Sequence, residues 1–390
     1  MYMKDIIAAL LIMSATIPAM AESEADAMSL QSSDTTATIN RSAWNKFLDY
    51  FNDANKNKKN KKFDFSIIGG PHYNSTTQLG VGLVAAGLYK TDRLDPDLKI
   101  SNVSLFGDIT TSGFWVLGVR GTNVFPKDKY RLDYTLFFYS FPSNYWGIGY
   151  DMGNNDDNES DLNRNQLKMS TSFLVKLADC MYAGPMVTFD YIKATKVENS
   201  LLLNGQRKEI WQFGVGANIV YDTRDVLTNP HKGIYLTLSE YLRPKALGNE
   251  QTVVTTDFQL CGYKTVWQGG ILAGEIRSQF NFGDPTWATM AQIGTNGSMR
   301  GYYQGRYRDK HKMEGQIELR QRVWRRAGIV VWAGAGTIFD KFSHLRSDEI
   351  LPNFGLGYRW EFKKDVNVRL DFGLGKSGQS GFMFGINEAF

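Results

Sequence analysis

The sequence predicts an all-β fold, a sixteen-stranded antiparallel transmembrane β-barrel, and three observations carry that prediction. From Phe63 to Phe390 apolar residues recur at every second position, the period of a strand with two unlike faces. The alternating segments often reach roughly the 9 to 11 residues that cross a bilayer at a tilt, against about five or six in soluble sheets. The second face carries Gly, Arg, Asp and Asn, and aromatic residues gather toward strand ends, as at Tyr134, Phe137, Phe138, Tyr139 and Phe141. Alternation alone would also suit a soluble sandwich; segment length, the polar second face and the aromatic ends separate the two. Composition agrees, with 38 Gly, only 10 Pro and 13% aromatic residues.

The elements follow in chain order. Lys4, the apolar run Ile6 to Met13 and the small residues Ala19 and Ala21 before Glu22 predict a secretory signal peptide over 1–21, with no Cys at the cut to carry a lipid. Residues 22–62 read as a disordered or short helical periplasmic segment: "ESEADAMSLQSSDTTATIN" is small and polar. Trp44, Phe47, Leu48 and Phe51 make one helical stripe, expected to pack locally on the barrel mouth, and "KNKKNKK" is a solvated linker.

The barrel occupies 63–390, with strands near 63–70, 77–90, 101–110, 113–124, 130–140, 163–177, 180–196, 208–224, 233–244, 252–267, 269–283, 313–323, 327–340, 350–362, 365–376 and 380–390. In "VNVRLDFGLGK" Val366, Val368, Leu370, Phe372 and Leu374 form the apolar face, and Asn367, Arg369, Asp371, Gly373 and Gly375 the other. An even strand number places both ends on the periplasmic side. The short turns "NPHKG" (229–233) and "SGQS" (377–380) then belong to the periplasm, and the long excursions 141–162 and 284–312 to the exterior.

Charge and chemistry narrow the function. A net charge of +4 gives nucleic-acid binding no global support. Cys180 and Cys261 are too few for a disulfide framework. A hydrolase needs a nucleophile with a base in reach. The one close pair, His72 with Ser75, sits three apart on a strand and so on opposite faces. The reading is therefore not an enzyme, with no catalytic residue, no metal-ligand spacing and no cofactor. The positive charge is local: "SMRGYYQGRYRDKHK" (298–312) holds Arg300, Arg306, Arg308, Lys310 and Lys312.

That stretch resembles the Arg-Gly-aromatic motif in the sixth extracellular loop of the bacterial surface antigen family, the barrel of BamA/TamA-like assembly proteins and of two-partner secretion pores. "YDTRDVLTNPHKG" is similar to the family's Asp-x-Arg turn, "NYWGIGYD" to its aromatic-Gly-x-Gly segment, and "GFMFGINEAF" to its last strand. The resemblance spans roughly 63 to 390 and is strongest from residue 208 onward.

It implies an inward-folded extracellular loop, latched by Arg300 on Glu318, with Gly301 permitting the turn and Tyr302 packing on the wall. Strand parity agrees, since Ile317, Leu319 and Val323 take the lipid face and Glu318, Arg320 and Arg322 the lumen. Arg306 and Arg308 are expected in the loop's solvated part. Asp222, Arg224, Asp225, Pro230 and Gly233 form the periplasmic turn, read as held by local ion pairs. Phe382, Phe384, Ile386 and Phe390 form the C-terminal strand signal. "FDFSIIGG" is expected to meet "GFMFGINEAF" at a seam loosened by Gly69, Gly70 and Gly385, with Ile67 and Ile386 as a trial pair.

Two departures stand out. Ala333 takes the place of a second acid, leaving the loop one anchor short, and residues 22–62 cannot hold the family's periplasmic repeats. The implied function is insertion or translocation of proteins or lipids at the outer membrane of a Gram-negative bacterium. The partners implied are outer-membrane lipid and a separate periplasmic partner or client protein. The alternative is a passive pore or structural barrel plugged by its Arg-rich loop.

Overall fold

Sixteen strands close on themselves in sequence order. The computed structural model describes residues 63–390 except 75, 76, 93, 96, 97 and 296; the signal peptide and the Trp44 to Phe51 stripe lie outside the described residues. The strands are β1 (Asp64–Asn74), β2 (Gln78–Tyr89), β3 (Ser101–Thr110), β4 (Trp115–Val124), β5 (Tyr130–Tyr145), β6 (Ser160–Ala178), β7 (Met181–Val197), β8 (Glu209–Asp222), β9 (Gly233–Arg243), β10 (Val253–Trp267) and β11 (Gly270–Gly283). A two-stranded ribbon, β12 (Ala291–Gln292) with β13 (Arg308–Asp309), sits inside the longest loop. Then come β14 (His311–Trp324), β15 (Ala327–Phe339), β16 (Leu351–Lys363), β17 (Val366–Leu374) and β18 (Ser380–Ile386). Each barrel strand pairs antiparallel with its neighbour, and β1 meets β18. Closure removes the free edges that lipid would leave unhydrated.

The strand pleat sorts the side chains. Leu79, Val81, Leu105, Ile109, Leu117, Ile317, Leu356 and Phe372 are exposed on the outer wall, the face that lipid covers. Of the aromatic group on β5, Phe138 takes that face, while Phe141 is buried. The inner wall is polar, and its packed part lies at one end of the barrel. There the loop residues Ile293, Met299, Tyr302 and Tyr307 pack with Ile338 and Leu351. A second group, Tyr145, Leu162, Ile192, Leu203 and Ile210, closes around Trp287.

The turns correct one assignment. Residues 179–180, 268–269, 325–326 and 364–365 are two-residue turns at one end, where 229–233 also lies, with Thr228 Oγ1 donating to the Asp365 carbonyl at 2.6 Å. The β17–β18 turn, which includes 377–380, is at the other end with the long loops: Lys376 Nζ donates to Tyr150 Oη at 2.6 Å. It is short for its side because Lys376–Gly378 makes one 3-10 turn, with Ser377 at φ 57. Sixteen strands force this parity, so turn length alone misplaced it.

The seam is the weakest join. β1 and β18 share one register pair, Asn74 opposite Met383, whereas β17 and β18 pair from Val368–Ile386 to Leu374–Ser380. The register therefore does not set Ile67 against Ile386. Outside the wall, Tyr73 and Phe382 bridge the seam with ring centroids 6.1 Å apart.

Candidate functional site

Within the loop, the segment 298–302 reaches the inner wall of β14–β18. Glycine explains how. Gly301 has φ +111, and a Cβ there would lie 2.6 Å from the Gly373 carbonyl carbon. A Cβ on Gly373 would lie 2.1 Å from the Arg300 carbonyl oxygen, and one on Gly375 would lie 2.5 Å from the Tyr302 ring. Backbone meets backbone only because these positions have no side chain.

Arg300 is fully buried. Its Nη2 donates to Glu318 Oε2 at 2.5 Å and to Gln316 Oε1 at 3.2 Å, and its Nη1 to Asp371 Oδ2 at 2.8 Å. The guanidinium carbon lies 3.6 Å from the Trp332 ring centroid, a stacking contact that suits a weakly hydrated cation. Asn353 Nδ2 donates to the Arg300 carbonyl. Tyr302 Oη donates to the Pro352 carbonyl at 2.6 Å and accepts from Lys376 N at 2.8 Å. These bonds fix both ends of the Arg-Gly-Tyr turn.

The two acids are shared more widely. Arg320 Nε donates to Glu318 Oε1 at 2.7 Å, Arg359 Nη1 to Asp371 Oδ1 at 2.6 Å, and Arg369 Nη1 to Asp371 Oδ2 at 3.3 Å. Glu388 continues the chain, accepting from Arg359 Nε at 2.8 Å and from Asn367 Nδ2 at 2.6 Å. Four arginines thus meet three side-chain carboxylates in the barrel wall, where an unpaired charge would cost several kcal/mol, roughly 3–5 on removal of a partner.

Three expectations change here. The loop is not one anchor short: Asp371 on β17 is the second acid. Ala333 is exposed on the outer face of β15, so no side chain there could reach Arg300; the inward residue is its neighbour Trp332. Arg306 and Arg308 are not solvated. Arg306 donates through Nε to the Gly153 carbonyl at 2.7 Å, and Arg308 is 4% exposed, donating to the carbonyls of Gly305 at 2.9 Å and Trp287 at 3.3 Å. The "NYWGIGYD" segment folds over them, with Tyr145 and Trp146 buried.

Of the C-terminal group, Phe382, Phe384 and Ile386 lie on β18, but Phe390 does not. Asn387 has φ 69 and donates its N–H to the Asn367 carbonyl at 2.7 Å, which ends the strand. Phe390 turns inward, its ring 6.2 Å from Tyr263, while its carbonyl accepts from Arg320 Nη2 at 3.0 Å. The glutamate-arginine contacts of Glu388 hold that inward path.

At the opposite end, Arg224 makes a two-pronged pair with Asp222 at 2.9 and 2.7 Å and lies 4.0 Å from the Tyr235 ring. Asp225 Oδ1 accepts from the N–H groups of Val226, His231 and Lys232 at 3.0 to 3.2 Å. Burial opposes ionisation of Asp225, yet these bonds hold its carboxyl below the usual carboxylate range. Pro230 is buried, and Gly233 has φ +112 with the Thr223 carbonyl where a Cβ would be. One pair escaped sequence reasoning: His72 Nε2 lies 3.3 Å from Asp108 Oδ2, reaching past Gly80 and Gly82 of β2.

Comparison with known proteins follows the same geometry. Residues 122–390 match the Omp85 superfamily domain. The fold is similar to BamA from Haemophilus ducreyi lacking POTRA domains 1-3, with TM-score 0.57 at 13% identity over 84% of this chain and 70% of that one. It is also similar to CdiB from Acinetobacter baumannii, with TM-score 0.53 at 10% identity over 84% of this chain and 60% of that one. No curated protein matches in sequence. With sixteen antiparallel strands, an apolar outer wall and a family match over most of its length, the chain belongs to the Omp85 superfamily and is an outer-membrane β-barrel.

Proposed function

We propose that this barrel assists insertion or translocation of proteins or lipids at the outer membrane, with the β1–β18 seam as the element that opens and a separate periplasmic protein as its partner or client. The observation that carries the reading is the single register pair at the seam, Asn74 opposite Met383, in a wall otherwise paired along the length of its strands. Few backbone hydrogen bonds need break there, so opening costs little beside breaking any other join. The Arg300 seat supports it from inside: by holding the loop on β14–β17, it keeps the lumen on that side filled while the seam moves.

Cysteines at Asn74 and Met383, in a background with Cys180 and Cys261 replaced, test this. Oxidation should halt growth or outer-membrane protein assembly in cells that depend on the barrel, and reduction should restore it. The plugged-pore reading has its own support in a luminal cavity of about 310 Å³ lined by Asn102, Arg120, Thr122, Asp133, Ser170 and Asn218. A confirmed crosslink with no phenotype would decide for that reading.

A further inference from the structure

Every arginine of the Arg300 cluster meets a carboxylate; a second pair of buried arginines does not. Arg164 on β6 is 8% exposed and Arg308 on the loop ribbon 4%. Among the described residues neither has a carboxylate within ion-pair distance, and Arg164 Nε is buried without an acceptor. Arg308 spends two N–H groups on carbonyls, which satisfies hydrogen bonding but leaves the charge in place. Each cation lies beside an aromatic face, Arg164 at 5.3 Å from Phe141 and Arg308 at 4.4 Å from Tyr145.

The acids nearby are engaged elsewhere. Asp190 accepts from Gln166 Nε2 at 3.1 Å and lies 3.8 Å from Arg243 Nη2. Glu159 accepts from Asn144, and Asp161 pairs with Lys196 at 2.5 Å. Phe141 and Tyr145, the rings beside Arg164 and Arg308, lie four residues apart on β5, so the two buried cations share one stretch of the wall, and burial together with the Arg164 charge pushes Arg308 down to about 10. The phenol of Tyr303 lies against the same stretch, its Oη accepting from Asn144 N of β5 at 3.0 Å. Tyr145 Oη and Trp146 Nε1 are also buried without hydrogen-bond partners among the described residues.

We infer that Arg164 and Arg308, with the phenol of Tyr303, bind an oxyanion of the phosphate class beneath the outer loops. Planar guanidinium forks fit phosphate oxygens in pairs, and an anion between them replaces repulsion with attraction. The chemistry is the same whether the phosphate is free or carried on a lipid headgroup.

The test uses the full-length protein in detergent, with inorganic phosphate as probe in equilibrium dialysis. Wild type should bind phosphate saturably, one per chain. Arg164→Gln and Arg308→Gln should weaken binding at least about tenfold, the loss of roughly one charge-assisted hydrogen bond. Arg164→Lys should recover part of it, and exposed Arg322→Gln should bind as wild type. If Arg308→Gln does not fold, Arg164→Gln and Tyr303→Phe carry the comparison. Moving the protein into phosphatidylcholine vesicles with or without phosphatidate separates the sources, since displacement of phosphate only by phosphatidate assigns the site to a headgroup. Absence of saturable binding, or equal binding by wild type and Arg164→Gln, overturns the site. So does an Arg164→Gln protein that is more heat-stable without phosphate while phosphate leaves wild type unmoved; the arginines would then merely repel.

Discussion

Replacing Asp371 by Asn tests the arginine cluster where its bookkeeping is most uneven. Asp371 receives Arg300 at 2.8 Å, Arg359 at 2.6 Å and Arg369 at 3.3 Å. Without its charge Arg300 keeps Glu318 at 2.5 Å and Arg359 keeps Glu388 at 2.8 Å, but Arg369 has no other carboxylate within ion-pair distance among the described residues. One buried cation is stranded, so the loss should be about 3–5 kcal/mol. Arg300→Met strands nothing, because Glu318 keeps Arg320 at 2.7 Å and Asp371 keeps Arg359; its cost should stay below about 3 kcal/mol. Adding Arg369→Met to Asp371→Asn removes the stranded charge, so the double variant should be more stable than Asp371→Asn alone. Urea titration of the refolded barrel, followed by the gel shift between folded and unfolded forms, reads wild type, Asp371→Asn, Arg369→Met, Arg300→Met and the double variant. A double variant that loses the sum of its single losses, or Arg300→Met as the worst of the set, refutes the partner accounting.

Other consequences are simpler to read. Gly373→Ala places a methyl group 2.1 Å from the Arg300 carbonyl oxygen, which must lift the loop; trypsin should cut after Arg300 in that variant and not in wild type. Tyr302→Phe leaves the Lys376 N–H and the Pro352 carbonyl without their partner and should cost about 1–3 kcal/mol in the same urea assay. Asp309 is raised to about 6 by burial, with Asp340 and Glu349 adding to it, from an ordinary 3.8. The folded state then binds more protons than the unfolded one across that interval, so stability falls as pH rises from about 4 to 6. At pH 7 Asp309→Asn should be the more stable protein by up to about 3 kcal/mol, and the two should converge below pH 4.

How far such features could be read in advance depended on whether they follow from period two. The barrel strands did: alternation over ten or more residues located β9 within one residue of Gly233–Arg243 and β3 at Ser101–Thr110. β1 runs on through Pro71 to Asn74, past residue 70 where the expected strand stops, because a proline is tolerated where the neighbouring strand makes few demands. Strand parity also held the second anchor of the loop. Asp371 already stood on the polar face of "VNVRLDFGLGK", but an acid was sought at position 333, whose side chain parity sends outward. The inward path of Phe390 had no such signal, since a single left-handed residue, Asn387, ends the strand.

The loop charges show why composition misled where parity did not. Of five cations in fifteen residues only Arg300 is expected inside and Arg306 and Arg308 solvated, yet Arg300 and Arg308 are both buried, and only the first meets acids. The difference lies in the wall each faces. β14–β18 present Glu318 and Asp371, whereas Arg308 meets Tyr145 of the wall, the loop's own Trp287 and the charge of a second arginine. Backbone carbonyls can align a guanidinium but cannot neutralise it, so a protein that buries one this way pays in repulsion unless something else supplies the charge. A loop fixed by ion pairs at its root and left without acids farther along is stable at the wall and receptive above it, which is the arrangement a phosphate group would complete.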